Sequence, residues 1–238
     1  MAEDRPLLAV LIDADNTSPK HAGAIFDEIA TLGEASVRRC YGDFSSQQMS
    51  GWNRVQADHG LVPHHSPANT VGKNSSDISL VIDAMDLMHT GRFDGFVVVS
   101  SDSDFTRLAS RIREQGLDVY GIGQKKTPDA FRKACRRFIF LENIGALPDT
   151  PDKQEQAKAS ETRPATDARD LFLRAMDGIE QDDDWYQLGQ LGQFIMAANP
   201  DFDVRTYGKK KLSDLVQAIK LFETRRGTNN QLLVRRID

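Results

Sequence analysis

Five aspartates stand where carboxylate chemistry is possible. Asp13 and Asp15 directly follow the apolar run at 7–12, in LIDADNT (11–17). Asp102 and Asp104 directly follow the run at 95–100, in SSDSDF (100–105). Asp77 closes GKNSSD (72–77) at the head of an amphipathic stretch. Carboxylates gathered in one pocket repel one another and hold their protons more tightly unless a cation compensates. Carboxylate oxygen is a hard donor and suits Mg²⁺ or Mn²⁺. Such ions stabilise the attacking and leaving oxygens of a phosphoryl displacement, so the pattern points to metal-dependent chemistry on a phosphate ester. Aspartate and serine after a strand also serve as turn residues and helix caps, and Asp104 and Asp77 each fit such a place. Asp13 and Asp102 together are harder to read that way, because each ends a buried apolar strand.

The elements needed to bring these residues together are visible in the apolar pattern. Strands are expected at 7–12, 35–41, 61–64, 95–100, 118–122 and 137–141. Helices are expected at 18–31, 46–58, 76–89, 104–115 and 128–134. Ser18 and Pro19 suit the start of the first helix. In the third, Ile78, Val81, Ile82, Met85 and Met88 are expected to face the core. Trp52 in the second helix is a core candidate. Strict strand–helix alternation argues for an α/β fold, a parallel sheet with helices on both faces. In such a sheet ligands bind beyond the carboxyl ends of the strands, where strand order reverses, which is where Asp13 and Asp102 would converge.

The chain has 238 residues and a net charge of −5, with 39% hydrophobic and 27% charged residues, which suits folded domains. Residues 1–147 form the expected first domain. Residues 148–166 hold three prolines and no large apolar side chain, and read as a linker. Residues 167–238 form a second domain, with helices at 168–178, 186–198 and 209–220, strands at 221–225 and 232–237, and turn residues at 227–230. That is the outline of a winged helix. Cys40 and Cys135 cannot make a disulfide scaffold, and no Cys-x-x-Cys pair is present. The run at 7–12 is too short for a signal core or a membrane span, and the expected location is cytoplasmic.

Residues 7–144 resemble the NYN domain, of the LabA-like branch of the PIN-like nuclease superfamily. The resemblance rests on LIDADN (11–16), KNSSDISLVIDAMDL (73–87), FVVVSSDSDFTRLASRIREQG (96–116) and VYGIG (119–123). It implies a PIN-like Rossmannoid fold with central strand order 3-2-1-4-5 and a metal-dependent ribonuclease activity with Mg²⁺ or Mn²⁺. By position it makes Asp13 the first metal-binding aspartate, Asn16 its polar companion, Asp77 the acid at a helix start, and Asp102 and Asp104 the last acids. Asn16 and Ser101 would orient a water or a phosphate oxygen, and Lys73 would neutralise a substrate phosphate. Asp83, on the same helix as Asp77, is expected on a different face.

Other readings of the same residues are possible. Asp13-Ala-Asp15-Asn-Thr17 fits the Asp-x-Asp-x-Thr pattern of haloacid-dehalogenase-type phosphatases, with Asp13 as nucleophile. A regulator that binds RNA or protein without catalysis is the alternative from another class. His64 and His65 are adjacent, point to opposite sides of a strand, and make poor joint ligands. Gly121-Ile-Gly123 alone is a weak nucleotide motif.

The charge changes sign within the second domain. Residues 167–203 carry two basic and nine acidic residues, and residues 205–238 carry nine basic and three acidic. Lys209, Lys210 and Lys211 are expected to begin its third helix, and Arg225, Arg226, Arg235 and Arg236 to lie on the hairpin. Third helix and wing are where such modules often meet nucleic acid. The segment 168–238 resembles the LOTUS (OST-HTH) domain through WYQLGQLGQFI (185–195), NPDFDVRTYGKKKLSDLVQAI (199–219) and the two arginine-rich strands. This implies RNA or protein binding, and single-stranded RNA is the expected substrate. A second basic stretch, Lys125, Lys126, Arg132, Lys133, Arg136 and Arg137, would flank the acidic pocket.

Overall fold

The computed structural model describes residues 5–45, 49–66, 75–145, 162–181 and 183–237. The chain divides into two units, 1–148 and 149–238.

In the first unit, β1 (Leu7–Asp13), α1 (Ala22–Leu32), β2 (Glu34–Gly42), α2 (Ser50–His59), β3 (Val62–His65) and α3 (Ser75–His89) are followed by β4 (Gly95–Val99), α4 (Thr106–Glu114), β5 (Asp118–Gly123), α5 (Asp129–Ala134), β6 (Arg137–Phe140) and α6 (Leu141–Ile144). All six strands run parallel in the order β3-β2-β1-β4-β5-β6. The order reverses between β1 and β4, the two strands that end in aspartate motifs.

Strand alternation explains why both faces are covered. Ala9 and Leu11 of β1, with Phe96 and Val98 of β4, face Leu80, Ala84, Ala109, Ile112 and Phe131 from α3, α4 and α5. Leu8, Val10 and Ile12, with Val97 and Val99, face Ala22, Ile25, Ile29 and Trp52 from α1 and α2. A strand buried on both faces must be apolar throughout, and β1 and β4 are.

Helix α3 meets the core with Met88, Val81 and Met85, as expected, but not with Ile78 and Ile82. Leu80, Ala84, Leu87 and Met88 are buried, whereas Ile78 and Ile82 are exposed. Two apolar stripes overlap on this helix, and the one carrying the small Ala84 packs on the sheet. The weak Gly-x-Gly motif has a packing explanation. A Cβ on Gly121 would lie 2.4 Å from the Phe138 ring, and one on Gly123 2.5 Å from the Ser100 carbonyl oxygen. Cys40 and Cys135 are buried and unpaired, and burial pushes both thiols up to about 12.

The second unit contains α7 (Arg169–Asp177), β7 (Tyr186–Gln187), α8 (Leu188–Ala198), α9 (Leu212–Gln217), β8 (Phe222–Arg226) and β9 (Leu232–Arg236). A 3-10 turn, Ala165–Ala168, precedes α7. Phe172, Leu191, Ile195, Leu215, Phe222 and Val234 form the core. The hairpin gains a third strand, giving an antiparallel sheet in the order β7-β9-β8. Its turn closes with Asn230 in the left-handed region at φ 59°. The three lysines do not begin the third helix. A second 3-10 turn, Val204–Tyr207, ends at Gly208, and Lys209 and Lys210 lie in the connection. Lys211 is the extended cap residue before α9. No described helix is long and apolar enough to cross a membrane.

Candidate active site

Strand parity carries the site's geometry. In register, Ile12 of β1 lies beside Val99 of β4, so the next residues, Asp13 and Ser100, lie side by side. Both continue the series facing α3 and α4. The Ser100 hydroxyl donates to Asp13 Oδ2 at 2.7 Å and accepts the Asp102 backbone N–H at 3.1 Å. One serine thus ties the two aspartate motifs together. Asn16 donates its amide to Asp13 Oδ2 at 2.8 Å and its backbone N–H to Oδ1 at 3.2 Å.

The loop after β1 is held from the other face. The buried Trp52 indole N–H donates to the carbonyls of Ala14 at 3.1 Å and Thr17 at 3.0 Å. Asp15 reaches the start of α3, where Ser76 Oγ donates to it at 2.8 Å, and it also accepts the Asp43 N–H at 3.3 Å. Asp77 lies in the first turn of α3. Asp102 caps a 3-10 turn, Ser103–Phe105, by accepting the Asp104 N–H at 2.9 Å. The cap expected at Asp104 thus falls on Asp102, with Asp104 in the first turn behind it, and the capping oxygen of Asp102 accepts a single N–H.

Electrostatics shows that these carboxylates share one region. Asp77 is pushed up to about 6, first by burial and then by repulsion from Asp13, Asp102, Asp15 and Asp104. Asp13, only 1% exposed, is also raised by burial, and its hydrogen bonds from Ser100 and Asn16 offset part of that cost. Among the described residues, no three His, Cys, Asp or Glu side chains stand together as a group that could hold a metal ion. The donors are all hard carboxylate oxygens. Mg²⁺ keeps several waters and needs only one or two protein carboxylates, so an open acidic site suits it better than a cage would.

The NYN domain model matches residues 7–142. The chain belongs to the NYN domain family. The NYN region carries all five aspartates and all six parallel strands. The OST-HTH/LOTUS domain model matches residues 163–234. No curated protein matches the sequence. Among solved structures, a protein of unknown function from Vibrio parahaemolyticus RIMD 2210633 is similar, with 18% identity and a TM-score of 0.49. The match covers 59% of this chain and 95% of that one.

Other residues of the NYN domain sort by their partners. Ser101 Oγ accepts the Gln124 N–H at 2.9 Å, so Ser100 is the serine that touches Asp13. The sequence signal for Ser100 was its parity with Phe96 and Val98. Asp83 sits apart from the five, accepting from Tyr41 at 2.6 Å and Arg39 at 2.7 Å, with His64 3.4 Å away. His65 turns instead toward Asp43, at 3.9 Å. Lys73 lies outside the described residues. Much of the second basic stretch is engaged in ion pairs. Arg132 and Lys133 pair with Asp129, Arg136 with Asp118, and Arg137 with Glu28. The family match displaces the phosphatase reading of Asp13-Ala-Asp15.

Proposed function

We propose that the chain is a divalent-cation-dependent ribonuclease that cuts single-stranded RNA, with Mg²⁺ or Mn²⁺ as the ion. The observation that carries this reading is the meeting of the two aspartate motifs at the strand-order reversal, where Ser100 bridges Asp13 and the Asp102 backbone. Asp77, raised to about 6 first by burial and then by the neighbouring carboxylates, agrees with it. A family of PIN-like nucleases supplies the reaction class. Asp13 and Asp102 would hold the ion, with Asp77 and Asp104 holding it directly or through water. Bound there, a divalent cation supplies charge neutralisation for the phosphodiester and a lowered pKa for water. The chain's own residues set the geometry. Asn16 and Ser100 fix the Asp13 carboxylate, and Asp102 is oriented by its cap. Ser101 keeps its O–H to donate to a water or phosphate oxygen. In the second unit, Lys209, Lys210 and Lys211 would capture RNA, in keeping with the OST-HTH/LOTUS match. Purified protein should cut single-stranded RNA with Mn²⁺ or Mg²⁺, and chelation should stop it. Tight RNA binding with no cleavage in either metal would favour the non-catalytic regulator.

Metal and pH should act on stability through the same carboxylates. Asp77 holds its proton at about 6 when folded, against 3.8 for an unperturbed aspartate. The folded chain therefore binds that proton more tightly than the unfolded chain. Without metal, this group's contribution to stability falls as pH rises from the lower value to the upper. A bound cation reverses the penalty only where Asp77 is ionised. Added Mg²⁺ should raise the melting temperature more at about pH 7.5 than at about pH 5. An equal rise at both, followed by scanning fluorimetry, would count against the carboxylates as the ion's ligands.

A further inference from the structure

The wing sheet of the second unit carries an aromatic platform that the readings above leave unused. Phe222 and Val234 are buried in the core. Alternation then places Glu223, Arg225, Leu233 and Arg235 on the opposite, outer face of β8 and β9. Tyr186 pairs with Val234, so Trp185, one residue earlier, belongs to the outer face as well. There the Arg225 guanidinium lies 4.0 Å from the Trp185 ring centre, and that of Arg235 4.8 Å. The indole is held in place from its backbone. The Trp185 backbone N–H donates to Asp183 Oδ1 at 3.0 Å, and the Trp185 backbone carbonyl accepts from Gln181 Nε2 at 3.2 Å. Glu223 pairs with Arg235, and among the described residues no acid pairs with Arg225.

Glu223 already meets the Arg235 charge, so the guanidinium nearer the ring, that of Arg225, is the one placed to meet an anion from outside. A half-exposed indole beside cations is the combination that binds a single strand. The base stacks on the ring or on a guanidinium plane, and the phosphate meets the charge. An acidic peptide would use the charges but not the ring.

We infer that Trp185, Arg225 and Arg235 form a base-stacking site for single-stranded RNA on the outer face of the wing sheet. It deepens the reading of RNA as ligand and does not depend on the cleavage reaction. The test uses the full chain in chelator, so that RNA stays intact. Single-stranded oligo(U) of about twelve nucleotides is titrated, with a duplex of equal length and a poly-glutamate peptide as comparisons. Trp185→Ala should weaken oligo(U) binding about tenfold, and Trp185→Phe by less than about threefold, because a ring remains. Arg225→Gln should weaken it less and lower the salt slope by roughly one contact. Duplex affinity should not change in Trp185→Ala.

Unchanged oligo(U) binding in both Trp185→Ala and Arg225→Gln would overturn the site. So would equal losses for single strand and duplex, or poly-glutamate binding that depends on Trp185 as strongly as oligo(U) binding does. Trp185-dependent binding without cleavage in Mn²⁺ would instead end the nuclease reading and leave this site standing.

Discussion

Asp13→Asn and Asp102→Asn should each lower RNA cleavage at least about a hundredfold, the scale on which removing one electrostatic stabiliser of a transition state acts. The fold should survive both changes. Asparagine matches aspartate in shape, and at position 13 its oxygen can still accept from Ser100 and the Asn16 amide, though its NH2 then faces the Asn16 backbone N–H and that one hydrogen bond is lost. Asp13 is buried, raised by that burial, and repels Asp15 and Asp77. Removing its charge should therefore offset the hydrogen bond lost at the Asn16 N–H, and thermal stability without metal should change little at neutral pH. The same variants should lose the melting-temperature rise that Mg²⁺ gives the wild type. Loss of activity together with a large loss of stability would point to a structural role instead. Cleavage assays beside thermal melts separate the two.

Trp52→Ala should be the most damaging single change to the first unit, at about 3–5 kcal/mol. The side chain is buried against α1 and β1, and its N–H satisfies two carbonyls of the loop that positions Asp13. Trp52→Phe keeps much of the packing but leaves those carbonyls without their donor, and should cost about 1–3 kcal/mol. Because the loop loosens, cleavage should fall in the phenylalanine variant even where it stays folded. Denaturant unfolding followed by circular dichroism reads this unit. Trp185, the chain's other tryptophan, reports the second unit by fluorescence. A cost below about 1 kcal/mol for Trp52→Ala would mean the loop is held by something else.

The sheet was legible in the sequence because a strand buried on both faces must be continuously apolar. The runs at 7–12 and 95–100 have no other ready reading, and the aspartates at their ends fall at the strand-order reversal. What was not legible depends on tertiary choice. Helix α3 carries two apolar stripes, and only packing against β1 and β2 selects Leu80 and Ala84 over Ile78 and Ile82. Ser100 read only as the end of its strand, since its contact with Asp13 needs the β1–β4 register. The lysines at 209–211 look like a helix start by position, but Gly208 at φ 67° ends the preceding turn and Lys211 stays extended. Strand β7 has two residues, too few for alternation to show. The platform on Trp185 depends on that strand, and so was hidden as well.

The acidic site's affinity for a divalent ion is the point on which the functional reading turns. Anomalous diffraction from crystals of the full chain grown with Mn²⁺ tests it most directly. The expected result is a peak between the carboxylates of Asp13 and Asp102, absent in crystals of Asp13→Asn. A protein that cuts RNA in Mn²⁺ while its crystals show the ion elsewhere would contradict it.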